Sequence, residues 1–349
     1  MEFGYIVDSH EDIAWNVVAL GRDFTRRVSK CQEDVSLTQK AGQRLLSLPD
    51  LLEAGVRLVV GTIYLLPERA ASSAEIEGLM CYHTPAEAYA QGQMQLNFYR
   101  TLAAQNEQVV LICSATELDK FLANVTLEPA RLGIIISMEG ADPLTEPEQL
   151  AGWVAQGLRL VGPAWHGTRY CGGTDEPGPL TPAGYRLLAE MERLGVILDL
   201  SHMAEESFYQ ALEAYNGTVL ASHSNCRHFI NTDRQLSDAM LSRLLERQAV
   251  IGVVLYNRFL TGREDATLED VVRHISHICD LAGNTLSIGI GTDFDGGYGA
   301  ELIPRPMQKV QDLYLLADEL LRHRFSEEDV KNIFYRNWIR ILRQGLAKF

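Results

Sequence analysis

The sequence lacks the cysteine pattern of a disulfide framework or a zinc ribbon. Its six cysteines, at positions 31, 81, 113, 171, 226 and 279, are scattered without a Cys-x-x-Cys pair. Such scattering is typical of a protein in a reducing compartment. We therefore interpret the cysteines as mostly core thiols and exclude a small disulfide-stapled fold.

The sequence also has few basic residues relative to acidic ones. The chain has 31 basic and 46 acidic residues, which gives a formal net charge of −15 at pH 7. This excess of negative charge opposes nonspecific binding to nucleic acid or to anionic membranes. The partner that it favours is a small metabolite or a peptide.

Long apolar runs are missing as well. The longest, around Leu58 to Leu66, has about half of the ~20 residues that a membrane span needs. At the N-terminus, Met-Glu-Phe-Gly leads directly into the first predicted strand, without the basic and apolar regions of a signal peptide. These features predict no membrane association and a cytoplasmic location.

What the sequence does contain is an alternation of strand and helix patterns, repeated about eight times. With 349 residues, of which 46% are hydrophobic and 22% charged, the chain is long enough for one large α/β domain. The alternation predicts a (β/α)8 TIM barrel with insertions and C-terminal helices, as a single domain over residues 1–349. The predicted strands are 5–8, 57–64, 133–138, 158–162, a run from 197, 218–222, 249–256 and 285–291. Helices are predicted at 84–106, 181–195, 204–215, 237–248, 267–283 and in the tail 307–349, with an extended piece at 109–112 outside the barrel.

Five of the apolar runs deliver a histidine or a carboxylate at their carboxyl end. The runs are Tyr5-Ile-Val-Asp-Ser-His-Glu-Asp12, Gly133-Ile-Ile-Ile-Ser-Met-Glu139, Ile197-Leu-Asp-Leu-Ser-His202, Val219-Leu-Ala-Ser-His223 and Ser287-Ile-Gly-Ile-Gly-Thr-Asp293. Parallel barrels build their active sites at these strand ends, from several strands at once. Each motif alone has an ordinary alternative, such as a helix-capping aspartate or a core histidine. The combination predicts a metal site.

The number and type of these side chains favour two ions over one. His10, Asp12, Glu139, His202 and His223 are more ligands than one tetrahedral zinc with an open position requires, whereas two ions that share a bridging carboxylate use them all. No lysine occurs between Lys120 and Lys309, so a carboxylated lysine from that part of the chain is not available as the bridge. Glu139 is the natural substitute.

Taken together, these motifs resemble the membrane dipeptidase (renal dipeptidase) family of zinc peptidases, in the form of a soluble bacterial-type member. The resemblance rests on Asp8-Ser-His-Glu-Asp12, Met138-Glu-Gly140, Leu200-Ser-His202, Ser222-His-Ser224, Arg234-Gln-Leu-Ser-Asp238 and Gly291-Thr-Asp-Phe-Asp-Gly296. The resemblance runs from the first strand to the C-terminal helices, and it implies a metal-dependent amidohydrolase-like barrel that forms a single catalytic domain over residues 1–349. Tyr335-Arg-Asn337 and Asp8-Ser9-His10 depart from the common family pattern, but neither change alters a ligand.

The resemblance implies a zinc-dependent dipeptidase that hydrolyses dipeptides with a free C-terminal carboxylate through a metal-bridging hydroxide. It implies one zinc on His10, Asp12 and Glu139, and a second on Glu139, His202 and His223. By the same resemblance, Asp293 would carry the proton, His166 would face the tetrahedral intermediate and Arg234 would bind the substrate carboxylate. Tyr256, at the end of the seventh predicted strand, is a candidate for lining the substrate pocket, with a core tyrosine as the alternative.

Two other functions remain open at this stage. One is a different binuclear metal-dependent barrel hydrolase, such as a deaminase or a cyclic-amide hydrolase, and the other is a binding protein that has lost turnover. A homodimer is compatible with the sequence. We expect the loops at 12–57 and 169–182 to set the side-chain preference, and we assign structural roles to the histidines away from the strand ends, at positions 83, 228, 274, 277 and 323.

Overall fold

Parallel strands form the centre of the molecule. The computed structural model describes residues 4–31, 35–71 and 79–349. Within these residues the barrel strands are β1 (Ile6–Glu11), β2 (Val56–Tyr64), β3 (Leu132–Glu139), β4 (Leu158–Gly162), β5 (Ile197–Asp199), β6 (Val219–Leu220), β7 (Ile251–Val253) and β8 (Ile288–Ile290). The strands predicted from the sequence are thus confirmed, and the last four are shorter than predicted.

The strands are hydrogen-bonded in the order β7-β8-β1-β2-β3-β4-β5-β6. Every pairing along this order is parallel. A parallel bridge between Ala221 and Ile251 joins the two ends of the order, so that the sheet curves into a ring. The predicted TIM barrel is therefore confirmed, and all the strand carboxyl ends meet at one face.

Helices follow the strands around the ring. Among the described residues, the α-helices are Ile13–Val18, Val35–Ala41, Leu48–Glu53, Glu68–Ala71, Pro85–Gln105, Ala115–Leu122, Leu150–Ala155, Pro182–Leu194, Glu205–Ala214, Asp238–Glu246, Asn257–Thr261, Leu268–Ala282, Tyr314–Arg322, Glu327–Lys331 and Asn337–Gly345. Short 3-10 turns occur at Val28–Lys30, Pro147–Gln149, Ala300–Leu302, Val310–Leu313 and Leu346–Lys348, and Asn332–Arg336 is a π-helical turn. The predicted helices and the helical tail are confirmed.

The helix Pro182–Leu194 shows how the local sequence determines where a helix begins and ends. Its N-cap residue, Thr181, accepts a hydrogen bond from the backbone N–H of Gly184 at 3.1 Å, and Pro182 occupies the first turn, where no donor is needed. Gly195 ends the helix with φ of +78°, a conformation that glycine adopts without steric cost. The chain then enters β5 two residues later.

A short strand lies outside the ring. Val109–Leu111 pairs in parallel with residues 132–134 at the start of β3, whereas β4 pairs with residues 136–139 at its end. The extended piece predicted at 109–112 is therefore confirmed in its position outside the barrel. Two further short strands, Leu66–Pro67 and Cys81–Tyr82, pair with each other in a separate two-stranded sheet.

The C-terminal helices pack against the barrel strands. Trp338 is fully buried and donates a hydrogen bond to the carbonyl of Ile290, the last residue of β8, at 2.9 Å, while the side-chain amide of Asn337 donates to the carbonyls of Thr285 and Ile288. Val7 and Ile197, near the amino ends of β1 and β5, lie in the same apolar cluster as Trp338. Apolar packing thus holds the C-terminal helices against the barrel.

The cysteines differ from the interpretation of the sequence. All six are free thiols, but only Cys171 and Cys226 are buried, and the remaining ones are partly exposed. The interpretation of mostly core thiols is wrong for those partly exposed residues, which lie outside the eight barrel strands. Among the described residues, no helix has the length and apolar character needed to cross a bilayer.

Candidate active site

Side chains from five barrel strands meet at the carboxyl face of the barrel. His10 lies near the end of β1 and Asp12 follows that strand, Glu139 is the last residue of β3, and His202 and His223 follow β5 and β6. Asp293 follows β8. Each of these six side chains is buried or nearly so. The structure therefore brings together the set of residues that the sequence singled out.

Glu139 lies at the centre of this group, with its two carboxylate oxygens directed to different histidines. Oε1 is 3.1 Å from Nε2 of His202 and 3.1 Å from Nε2 of His223. Oε2 is 3.5 Å from Nε2 of His10, and that nitrogen is 4.0 Å from Oδ1 of Asp293. Oε2 of Glu139 thus faces His10, whereas Oε1 faces His202 and His223.

Hydroxyl groups set the orientation of all three imidazoles. Nδ1 of His202 is 3.0 Å from Oγ1 of Thr174. The hydroxyl of Ser222 is 2.7 Å from Nδ1 of His223 and 3.3 Å from Nδ1 of His10. Because each Nδ1 has a hydroxyl partner, each Nε2 is directed towards Glu139, which is the usual arrangement of histidines that bind a metal through Nε2.

Several polar atoms in this centre are buried without a hydrogen bond. Nε2 of His10 and Oδ1 of Asp12 have no hydrogen-bond partner among the described residues, and Oε1 of Glu139 makes no well-aligned hydrogen bond although two imidazole nitrogens lie 3.1 Å from it. Asp12 occupies the N-cap position of the helix Ile13–Val18 but makes no side-chain capping bond, so the alternative of a capping aspartate is not supported. Buried polar atoms without a partner are costly, and imidazole nitrogens with carboxylate oxygens form a donor set that suits a zinc ion.

The electrostatics of the centre follow from burial and mutual contact. Burial lowers the pKa of His202 to about 4 and holds that of His223 well below its ordinary value. Burial also acts to lower the pKa of His10, but the carboxylates, Glu139 first, outweigh it and raise that pKa to about 10. Although burial alone would raise it, the imidazoles of His10 and His202 hold the pKa of Glu139 well below its usual range. Without a bound metal, a protonated His10 thus balances the negative charge of the carboxylates around it. A metal cation in this position can balance the same charge instead.

Asp293 and Asp295 are both buried and only two residues apart, yet their surroundings differ. Asp295 accepts hydrogen bonds from the backbone N–H groups of Leu45 and Leu46, at 2.8 and 2.9 Å, and so fixes the insertion after β1. Asp293 instead lines the cavity above Glu139. Burial raises the pKa of Asp293 to about 7.

The position of Asp293 depends on a close approach to a glycine. Asp293 has φ of +61°, a backbone conformation that is uncommon for a residue with a side chain. A Cβ atom on Gly296 would lie 2.0 Å from Oδ1 of Asp293. Only glycine at position 296 therefore leaves room for this carboxylate.

Arg234 lies in the same cavity, as the sequence predicted for a residue of the loop after β6. Only 4% of the residue is exposed, and its Nη2 donates to the carbonyl of His223 at 2.7 Å. Nε and Nη1 are buried without a partner among the described residues. The guanidinium also lies over the ring of Phe259, 5.1 Å from its centroid. Burial lowers its pKa, but an arginine remains charged at neutral pH.

The cavity above Glu139 has a volume of about 720 Å³, within the range typical of small-molecule sites. His166 and Tyr256 both line it, as predicted. His166 packs edge-on against Trp165 with ring centroids 4.4 Å apart, and Tyr256 stacks on Tyr298 at 4.3 Å. Trp15 adds a buried ring nitrogen without a hydrogen-bond partner among the described residues.

Some residues that shape the centre were not identified from the sequence. Oδ1 of Asp199 accepts hydrogen bonds from the backbone N–H groups of Ser201 and Ser222, each at 3.0 Å, and so couples the ends of β5 and β6. Thr174 comes from the Gly- and Pro-rich loop after β4. The repeated Ser-His motif could have identified Ser222 from the sequence. The contact of Thr174 with His202 could not be identified in this way, because it depends on tertiary structure.

Comparisons with known proteins agree with this geometry. Residues 1–348 match the family model described as membrane dipeptidase, peptidase family M19. A protein encoded in the pqqA 5' region of Klebsiella pneumoniae is 28% identical over 264 residues, which cover 71% of this chain and 94% of that protein. An uncharacterized dipeptidase of Schizosaccharomyces pombe is 34% identical over 163 residues, 46% of this chain, and the match spans only 39% of the yeast protein.

A solved structure supports the fold assignment. A metallo peptidase from Rhodobacter sphaeroides, solved with a phosphinate mimic of the dipeptide L-Ala-D-Ala, superposes with a TM-score of 0.81 and 24% identity, covering 98% of this chain and 99% of that one. The family resemblance inferred from the sequence motifs is thus confirmed by a match along almost the whole chain. This protein belongs to the membrane dipeptidase family, peptidase family M19.

Proposed function

We propose that this protein is a zinc-dependent dipeptidase that hydrolyses dipeptides with a free C-terminal carboxylate. The observation that carries the proposal is the arrangement around Glu139, whose two oxygens face His10 on one side and the pair His202 and His223 on the other. The membership of the M19 family supports the same conclusion. All the proposed site residues lie between positions 10 and 293, which fits one catalytic domain over residues 1–349.

The chain offers ligands for two zinc ions. His10, Asp12 and Glu139 would hold one, and Glu139, His202 and His223 the other. Five nitrogen and carboxylate ligands, three of which (His10, Asp12 and Glu139) have a buried atom without a well-aligned hydrogen bond, fit this cofactor. When bound, two such ions lower the pKa of a water molecule and polarise the scissile carbonyl. Glu139 would be the ligand that the two ions share.

Asp293 is the proposed proton carrier. Its carboxylate lines the cavity next to the ligands, and burial raises its pKa to about 7. A carboxylate with a pKa near the working pH can accept a proton from the attacking water and pass it to the leaving amine. Asp295 does not share this role, because backbone N–H groups already occupy both of its oxygens.

Arg234 is the proposed anchor for the substrate carboxylate. Its unpartnered Nε and Nη1 are buried at the cavity wall, where a charged donor without an acceptor is costly. A guanidinium group binds a carboxylate through two parallel charge-assisted hydrogen bonds. A free C-terminal carboxylate would therefore accept from Nε or Nη1 together with the second N–H of Nη2, which would favour substrates with a free C-terminus.

His166 and Tyr256 complete the proposed site. His166 lies on the rim beside Trp165, where an imidazole N–H can donate to the oxyanion that develops on the carbonyl. Tyr256 offers a flat wall, held in place by its stacking on Tyr298. The resulting cavity, about 720 Å³, is large enough for a dipeptide.

A substrate panel tests the proposal. We expect zinc-loaded protein to hydrolyse some among L-L, L-D and Gly-containing dipeptides, and to leave their C-terminal amides and longer peptides almost untouched. Hydantoins and nucleobases should be inert. Hydrolysis of hydantoins or nucleobases with no cleavage of any dipeptide would overturn the dipeptidase assignment in favour of another binuclear barrel hydrolase.

A further inference from the structure

A second group of metal-ligand side chains lies on the surface, in the region where the sequence analysis assigned structural histidines. We call His228, Asp238 and His277 the outer histidine cluster. One ligand atom from each lies within 4.8 Å of the others. The two imidazoles stack with centroids 4.5 Å apart and planes 24° from parallel, and Nε2 of His277 is 2.8 Å from Oδ1 of Asp238.

We propose that the outer histidine cluster binds one divalent transition-metal ion, separate from the active site. Two imidazoles and one carboxylate form a three-ligand set that suits zinc and its neighbours in the periodic table, with water in the remaining position. Magnesium and calcium prefer oxygen ligands alone and are disfavoured by two nitrogens. The class of ligand is therefore a borderline-soft divalent cation.

The three ligands come from three different segments. His228 is an exposed residue of the loop after β6, Asp238 is the first residue of the helix Asp238–Glu246, and the half-buried His277 lies on the helix Leu268–Ala282. The hydroxyl of Ser237 caps the second of these segments by accepting from the N–H of Met240 at 3.3 Å. Asp238 thus stands at a fixed helix N-terminus, where a negative charge is favoured.

Hydrogen bonds below the cluster hold the loop against the helix. Nδ1 of the buried His274, one turn before His277, is 3.1 Å from the backbone N–H of Cys226, which donates to it. Nε2 of the same ring lies 3.1 Å from the carbonyl of Leu260. Since Cys226 precedes His228 by two residues, the backbone that presents His228 is positioned before any ion binds. Such preorganisation lowers the cost of metal binding.

The nearby positive charge is already paired. Arg273, on the same helix as His277, lies 3.4 Å from Oδ1 of Asp270, and its guanidinium is 4.8 Å from the ring centroid of Phe229. The carboxylate of Asp238 is therefore available to a cation at the cluster. The ordinary alternative is a simple tether in which Asp238 and His277 form an ion pair and His228 only packs. That alternative gives His228 no part in metal binding.

An ion at the cluster would connect the loop of Arg234 to the helix Leu268–Ala282. His228 lies six residues before Arg234 in that loop, and Leu236 pairs with Cys226 through a parallel bridge. Binding to the folded chain stabilises it in proportion to the logarithm of the free metal concentration. The ion should therefore raise the unfolding temperature of the protein.

The test measures how many further zinc ions the intact, zinc-loaded protein binds, and how tightly. Wild type, His228→Ala, Asp238→Asn and His277→Ala are dialysed to a constant zinc content and then titrated with Zn²⁺ alone by isothermal titration calorimetry. We expect wild type to take up one further ion, and each variant to bind that ion at least about tenfold more weakly, as for loss of a ligand. The zinc content before titration and kcat should be equal in all the proteins.

The matched control is His83→Ala, which removes a histidine of another surface ion pair, 3.0 Å from Glu68. This variant should bind the further ion like wild type, and its unfolding temperature should rise with Zn²⁺ to the same extent. Because His228 is exposed, its replacement should leave the fold intact, which circular dichroism checks. Equal titrations of wild type and His228→Ala, or equal weakening in His83→Ala, would overturn the proposal.

Discussion

Buried carboxylates at the carboxyl face of the barrel differ in their surroundings, and two groups can be compared. Asp199 and Asp295 each accept two hydrogen bonds from backbone N–H groups. Oδ1 of Asp12 is buried without a hydrogen-bond partner among the described residues, and Oε1 of Glu139 faces the Nε2 atoms of His202 and His223 at 3.1 Å without a well-aligned hydrogen bond. Carboxylates of the first group shape the strand ends, and those of the second are available to an ion or a substrate.

This difference shows that burial alone does not identify a functional carboxylate. Asp293 and Asp295 are 7% and 1% exposed, and burial raises the pKa of each, to about 7 and about 6. What separates them is where their oxygens point. The predictions below compare the two groups directly, beginning with the largest expected effect.

The largest effect should come from Glu139→Gln. The amide keeps the shape of the side chain but removes the negative charge that faces His10, His202 and His223. Both zinc ions should be lost together, and kcat/KM should fall by a factor on the order of 10⁴ or more, because the activating and polarising charges disappear at once. Metal analysis and dipeptide hydrolysis measure the two losses. Retention of one full zinc equivalent would show that Glu139 serves a single ion.

The next effect concerns the proton carrier. Asp293→Asn should lower kcat by on the order of 10² to 10⁴, the usual contribution of a general acid or base, and should change bound zinc little. Single-turnover kinetics and metal analysis check both outcomes. If the variant lost its zinc and regained full turnover once zinc was resupplied, Asp293 would be a ligand and not the proton carrier.

Asp295→Asn is the matched control for that variant. The new amide would point a donor at one of the N–H groups of Leu45 and Leu46, so the fold should lose about 1 to 3 kcal/mol of unfolding free energy. Zinc content and kcat should stay near wild type. A loss of kcat as large as that of Asp293→Asn would remove the distinction between the two groups of carboxylates.

Zinc affinity should depend on pH in a defined direction. In the chain without metal, the carboxylates around His10 raise its pKa to about 10, and the pKa of Asp12 is raised well above its ordinary value, chiefly by burial. Zinc must displace these protons, so lower pH weakens binding. Between pH 6 and pH 8, the Kd for zinc should decrease by about a hundredfold for each proton displaced. Competition with a chelator measures this, and a Kd independent of pH would contradict the assignment of these ligands.

A smaller effect is expected at the substrate anchor. Charge-assisted hydrogen bonds contribute roughly 1.5 to 3 kcal/mol, so Arg234→Met should lower kcat/KM by about ten- to a hundredfold or more. Amidation of the dipeptide should cost wild type a similar factor and cost the variant little more, because both changes remove the same contact.

Arg227→Met provides the control for Arg234. Arg227 lies in the same loop but donates to the carbonyl of Gln235 and pairs with Glu205. Its replacement should leave the preference for a free carboxylate unchanged. Additive losses for Arg234→Met and substrate amidation would show that the carboxylate binds elsewhere.

The sequence predicted the barrel because strand and helix periods alternate clearly, and it singled out the proposed ligands because they follow directly on apolar strands. His202 and His223, for instance, each end a Ser-His motif after a buried run. It could not predict that Ser222 orients two imidazoles, because the partner of that hydroxyl, His10, is 212 residues away. Nor could it separate Asp293 from Asp295 by geometry, since the donors to Asp295 come from a distant insertion.

The outer histidine cluster shows the same limit. His228 and His277 lie on different segments, and nothing in their local sequence indicates that the two rings stack. Histidines at strand ends stand out from the sequence of a barrel, whereas histidines on its outer helices do not. Contacts between segments far apart in sequence therefore need the structure.

The central claim is that Glu139 is shared between two ions. Anomalous diffraction from zinc-loaded crystals, recorded on both sides of the zinc absorption edge, tests it most directly. We expect two peaks, about 3.5 to 4 Å apart as in other two-metal sites, one beside His10 and Asp12 and one beside His202 and His223, with one oxygen of Glu139 on each. A single peak in this cavity, or two peaks that Glu139 does not join, would contradict the account.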